Sequence, residues 1–126
     1  MQWMFYMTGL HAKNFTLGNI TNWNVSNVTN MYHMFMRCRY FNKPLNDWDV
    51  SKVRNMSGMF DMATEFNQPL NNWKLSSIVV IVDMFHSAYQ FKQDLSSWDL
   101  RHITVSQRRG MFTMSKMTQK YLPKFK

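Results

Sequence analysis

Leu45–Pro69 reads LNDWDVSKVRNMSGMFDMATEFNQP, and the following stretch, Leu70–Asp94, reads LNNWKLSSIVVIVDMFHSAYQFKQD. Laid one above the other, Trp48 falls on Trp73, Met59-Phe60 on Met84-Phe85, and Phe66 on Phe91. The step of 25 extends outward in both directions through Trp23 and Trp98, Met34-Phe35 and Phe41. It also holds for Ile20, Leu45, Leu70 and Leu95, for Val25, Val50, Leu75 and Leu100, and for Val28, Val53, Ile78 and Ile103. A fourth Met-Phe pair, Met111-Phe112, arrives two residues late, which places a two-residue insertion between Ser106 and Gly110. Several apolar columns locked to one period imply stacked coils, because a single coil of this size cannot bury its own apolar side.

Within one coil, Trp48 and Val50 alternate with Asp47 and Asp49, the period of a short strand with two residues inward and two outward. Met59, Phe60, Met62, Ala63 and Phe66 supply steps of three and four, the pattern of one or two helical turns, with Asn55 or Ser57 as the cap. Asn67-Gln68-Pro69 ends that turn, since proline disfavours helix in the residue before it. The fold expected on these grounds is an α/β repeat. It would be a short right-handed leucine-rich-repeat-like solenoid of about four coils, each a short parallel strand plus a short helical turn. A single domain is expected over 1–126: a degenerate first half-repeat or N-terminal cap at 1–18, repeats over 19–112, and a basic tail or cap at 113–126.

Met-Phe, Phe-Asn-x-Pro-Leu, Trp-x-Val-Ser and Val-x-x-Met follow one another in order, best seen in Met59–Trp73 and in Trp23–Met31. Over roughly residues 19–112 this unit closely resembles the repeat of the BspA-type leucine-rich repeat surface proteins. The resemblance implies a leucine-rich-repeat-like solenoid, often at a cell surface or secreted, that acts in adhesion or protein binding without enzymatic activity. Surface members usually carry an export signal. The apolar stretch Met1–Met7 is short and lacks a positive leader and a small-residue cleavage site, so no signal peptide is readable.

Composition narrows the field further. The chain has 126 residues, 45% hydrophobic and 17% charged, with 13 Met, 10 Phe and 5 Trp, which is enough apolar matter for one core. No apolar run reaches the length of a membrane span. The net charge of +8 is unevenly placed. Residues 1–100 carry eight Lys or Arg against seven Asp or Glu, whereas 101–126 carry seven (Arg101, Arg108, Arg109, Lys116, Lys120, Lys124 and Lys126) and no acid.

Three candidate surfaces follow. Val79, Val80 and Val82 stand where the preceding coil has polar residues, so they are expected to form an outward apolar stripe suited to a partner. The outward strand positions give two rows, Asn22, Asp47, Asn72, Ser97 and Asn24, Asp49, Lys74, Asp99, which in leucine-rich repeats line a recognition face. The basic tail gives an alternative: binding of nucleic acid or an anionic surface by charge neutralisation.

Catalysis finds little support. Asp47 and Asp49 invite a carboxylate-pair reading, but Asn72 and Lys74 replace them one coil on. His11, His33, His86 and His102 share no repeat position, and with the single Cys38 they match no zinc spacing. Phosphate-loop, dinucleotide and serine-nucleophile motifs are absent. Five glycosylation triplets begin at Asn14, Asn19, Asn24, Asn27 and Asn55, as an Asn- and Ser-rich repeat produces without selection. The reading from sequence is a non-enzymatic protein-binding or structural repeat protein. No cofactor, metal or catalytic residue is expected, and the partner is a protein or a larger assembly.

Overall fold

Each Met-Phe segment holds two residues in the left-handed backbone region, four apart, and this decides the local structure. One column is His33, Gly58, Asp83 and Gly110, with φ of 55°, 60°, 55° and 68°; the other is Arg37, Met62, Ser87 and Met114, with φ of 60°, 59°, 55° and 62°. No α-helix passes through two such residues, so the segment becomes a chain of tight turns. The amides of Met34, Met36 and Cys38 close back on Met31, His33 and Phe35, while those of His33, Phe35 and Arg37 donate to Ser57, Met59 and Asp61 of the next coil. Alternate amides thus serve the turn and the stack, and the sequence expectation of helical turns is corrected. Met62, part of that helical spacing, lies 39% exposed.

The computed structural model describes residues 18–126, so the expected first half-repeat, apart from Gly18, lies outside the described residues. Regular structure among the described residues amounts to three 3-10 turns, Ile20–Asn22, Ser106–Arg108 and Gln119–Tyr121. To these are added three isolated parallel bridges, Asn30 with Asn55, Asn55 with Val80, and Asp99 with Lys124. There is no sheet among them, and the α/β leucine-rich-repeat-like solenoid expected from sequence is not what forms. The inward and outward alternation of Trp48 and Val50 with Asp47 and Asp49 is real, but on this side cross-coil bonding falls to side chains. The indole Nε1 of Trp48, Trp73 and Trp98 donates to the carbonyl of Ile20, Leu45 and Leu70 at 3.1, 2.9 and 2.8 Å. Asn42 and Asn67 take the amides of Asn67 and Lys92 at 2.9 Å each. Indole and carboxamide groups replace most of the backbone ladder that would define strands.

What the chain builds is a stack of irregular coils in the register of the sequence period. Phe60 donates its amide to Met84, 24 residues on, whereas Phe85 donates to Met111, 26 on. The change from 24 to 26 absorbs the two extra residues, and the 3-10 turn Ser106–Arg108 holds them. Inside, Phe35, Phe60, Phe85 and Phe112 stack with ring centroids 5.6, 5.5 and 5.6 Å apart. Phe41, Phe66 and Phe91 form a second column beside it, each about 4 Å from its partner in the first. The Met34, Met59 and Met84 column and the leucine columns close the core around them. At the far end the tail lies on coil four: Lys124 donates to Trp98, Leu100 donates back to Lys124, and Phe125 packs against the core.

Candidate functional site

The outward rows are where the sequence places them. Asn22, Asn24, Asp47, Asp49, Asn72, Lys74, Ser97 and Asp99 are all exposed. Three of the second row, Asn24, Asp49 and Asp99, share a local device in which a side-chain oxygen accepts the amide two residues on, an Asx turn. Asn24 Oδ1 takes the amide and hydroxyl of Ser26 at 3.0 and 2.6 Å. Asp49 Oδ1 takes those of Ser51 at the same distances. Asp99 Oδ1 takes the amide of Arg101 at 3.2 Å, and Asp99 also grips the Arg101 guanidinium through Nε and Nη2 at 2.9 and 2.8 Å. The Ser51 bonds hold the Asp49 carboxyl below the usual carboxylate range, and the Arg101 bonds do the same for Asp99.

Coil three breaks the series, because Lys74 stands where the device needs an oxygen. Among the described residues nothing accepts the amide or the hydroxyl of Ser76. Beside that turn lies an open groove of about 940 Å³, floored by Trp73 and Leu75 and rimmed by Lys74, Arg101, His102 and Lys126. His102 is fixed there by Nε2, which lies 3.0 Å from the carbonyl of Ile78.

The valine surface is narrower than expected. Val79 is 42% exposed, whereas Val80 and Val82 are half-buried. The amides of Val79 and Val80 bond back to Arg54, and the amide of Val82 donates to Ser57 Oγ at 3.1 Å. In coil four Val105, beside the 3-10 turn Ser106–Arg108, is 71% exposed. Sequence reading missed Val105, because the alignment of columns breaks there.

The tail cations scatter. Lys116 Nζ bonds Gln90 Oε1 at 2.7 Å, and Lys120 lies over the Tyr121 ring at 5.1 Å. Lys124 pairs through its backbone with Asp99, and Arg109 is exposed beside a smaller groove of about 430 Å³. Arg108 places its guanidinium 4.0 Å from the Phe125 ring centroid, and its Nε is buried with no hydrogen-bond partner. Only Arg101 and Lys126 of the seven join the larger groove, where they meet Lys74.

Sequence reading also missed a cross-coil hydrogen bond between His86 Nδ1 and Asp61 Oδ1 at 2.9 Å; its signal was that positions 61 and 86 lie one period apart. Burial depresses the pKa of His33, against the pull of Asp61 and Asp83. Among the described residues no group of three His, Cys, Asp or Glu side chains is placed to hold a metal ion. Cys38 is fully buried, its Sγ 3.8 Å from the Met36 carbonyl, and burial pushes its thiol up to about 12. The thiolate is the reactive form, so native protein at pH 8 is expected to resist alkylation by iodoacetamide and to label fully once unfolded. Mass spectrometry of both samples checks this, and prompt native labelling would contradict the burial.

No described helix is long and apolar enough to cross a membrane. No curated protein and no solved structure matches the chain. The family described as "Mycoplasma protein of unknown function, DUF285" matches residues 1–125. It is a different family from the BspA-type leucine-rich repeat proteins, so the resemblance drawn from the Met-Phe and Trp-x-Val-Ser motifs is corrected, and with it the leucine-rich-repeat assignment. Spanning almost its whole length, that match means that the chain belongs to the DUF285 family.

Proposed function

We propose that the chain is a non-enzymatic, protein-binding repeat, acting as a recognition module or as a component of a larger assembly. The observation that carries this reading is the exposure of Val79 and Val105, 42% and 71%, in coils three and four, where most large apolar side chains of the described residues are buried and Trp23, Met62, Tyr89 and Met114 are the others exposed. Apolar surface left in water has a cost that a partner removes, and the rigid aromatic stack beneath presents it without an ordering penalty.

Light scattering at low and high salt, with and without nuclease, tests the reading. The expected result is association that survives high salt in the wild type and falls to the 15.2 kDa monomer when Val79→Arg and Val80→Asn restore the residues of coil two. Circular dichroism should show the fold unchanged in that variant, since Val79 is exposed and Val80 half-buried. Unfolding of the variant would mean that the valines are structural. Mass lost only on adding salt or nuclease would move the function to the basic residues, because phosphate-driven affinity falls steeply with ionic strength.

A further inference from the structure

We propose that the groove beside coil three is a binding site for an acidic polypeptide segment, with a partner's Asp or Glu carboxylate completing the Asx turn at Ser76. This deepens the protein-binding reading and rests on it. In three of the four coils the outward side chain at this position supplies an oxygen to the residue two further on: Asn24 to Ser26, Asp49 to Ser51, Asp99 to Arg101. Coil three presents the same turn with the oxygen removed and a cation in its place. Neither the amide nor the hydroxyl of Ser76 is bonded among the described residues, whereas in coil two the Asp49 carboxylate takes both from Ser51, and Lys74 adds the opposite charge. Lys126 brings a further cation to the same groove, where Arg101 is already paired with the groove's one acid, Asp99.

The chemistry favours a carboxylate from a polypeptide. Two donors on a single oxygen is the contact that Ser51 makes with Asp49, at 3.0 and 2.6 Å, so the turn is already shaped for that group. The groove, at about 940 Å³, is far larger than one anion needs and has room for an extended chain. An acidic segment would lie across coils three and four, with one carboxylate at Ser76 and others near Arg101 and Lys126.

The test uses the full chain and a synthetic oligoglutamate peptide, titrated by calorimetry, with inorganic phosphate and a single-stranded oligonucleotide as parallel probes. Lys74→Asp gives coil three its own carboxylate, fills the Ser76 position from within and removes a cation. Peptide affinity is expected to fall about tenfold or more. Ser76→Ala keeps the charge and removes one donor, for an expected loss of about threefold. Lys116→Asp makes the same charge change away from the groove and should alter affinity by less than about twofold. Thermal melts should show Lys74→Asp folded, as the natural Asp49 turn already is.

Failure to bind the peptide would overturn the proposal, and equal losses in Lys74→Asp and Lys116→Asp would overturn it in favour of general charge attraction. Phosphate or oligonucleotide binding more tightly than the peptide and displacing it would overturn it in favour of a phosphate site. Either result can occur while Val79→Arg with Val80→Asn still abolishes association. Failure of the groove is thereby distinguished from failure of the protein-binding reading.

Discussion

Replacing Phe60 by Ala is expected to cost about 3–5 kcal/mol, enough to lower the melting temperature by roughly 10–20 °C or to unfold the chain outright. Phe60 is fully buried at the centre of the stack, with Phe35 above it at 5.6 Å, Phe85 below it at 5.5 Å and Phe66 beside it at 4.1 Å. The three neighbours belong to three different coils and are themselves held by further rings, Phe35 by Phe41, Phe85 by Phe91 and Phe112, and Phe66 by Phe41 and Phe91, so the cavity cannot close by a small shift of one side chain. Because each coil contacts only its neighbours, loss at the middle coil also separates the two ends of the stack. Tyr89→Ala is the matched control: an aromatic of similar size, 46% exposed, whose removal should change stability by no more than about 0.5 kcal/mol. Thermal unfolding followed by circular dichroism reads both, and equal effects would mean that the phenylalanine columns are not the core.

The period was legible because burial enforces it. A column position that faces the core tolerates only apolar side chains of similar size, so Phe35, Phe60, Phe85 and Phe112 stand out in the sequence and then stack in the structure. The late arrival of Phe112 likewise appears as a register shift in the cross-coil hydrogen bonds. The backbone was not legible for the same reason. Burial pattern says which side chains face in and says little about φ. Steps of three and four fit both a helical turn and a chain of tight turns with left-handed residues between them. Arg37, Met62 and Ser87 occupy left-handed positions without the glycine or asparagine that would have announced them. The strand expectation failed differently. Alternation in and out was right, but indole and carboxamide donors make most of the bonds between coils on that side, and no hydropathy pattern distinguishes a side-chain ladder from a backbone one.

The site was partly legible. Both outward rows could be placed by period alone, and Lys74 was visible as the residue that breaks the acidic row. Its consequence was not visible, because the Asx turn lies in the geometry between positions 49 and 51, and the loss at Ser76 appears only once Ser51 is seen bonded to Asp49. The family motifs pointed to the wrong family for a related reason. Met-Phe and Trp-x-Val-Ser are what stacked coils with this core require, so they report packing more strongly than descent.

Gly58→Ala is expected to destabilise the chain by about 2–4 kcal/mol, although it adds a single methyl group. Two costs combine. Gly58 sits at φ 60°, a conformation that costs an L-residue roughly 1–2 kcal/mol. Its neighbours in the column, His33 at φ 55° and Asp83 at φ 55°, bear that cost already, so strain alone does not explain the glycine. The second cost is steric. A Cβ at Gly58 would overlap Cδ2 of the His33 imidazole, which lies across the glycine and is itself stacked on Tyr32 with ring centroids 3.7 Å apart. The column therefore alternates, with a side chain at His33 and Asp83 and none at Gly58 and Gly110, where a Cβ would meet Asp83 Oδ1. A double-mutant cycle separates the two costs. His33→Ala removes the ring, so Gly58→Ala in that background should cost only the backbone term, and about 1–2 kcal/mol of the penalty should disappear. If the penalty is the same in both backgrounds, the alternation of large and small residues is not what fixes the spacing of coils one and two.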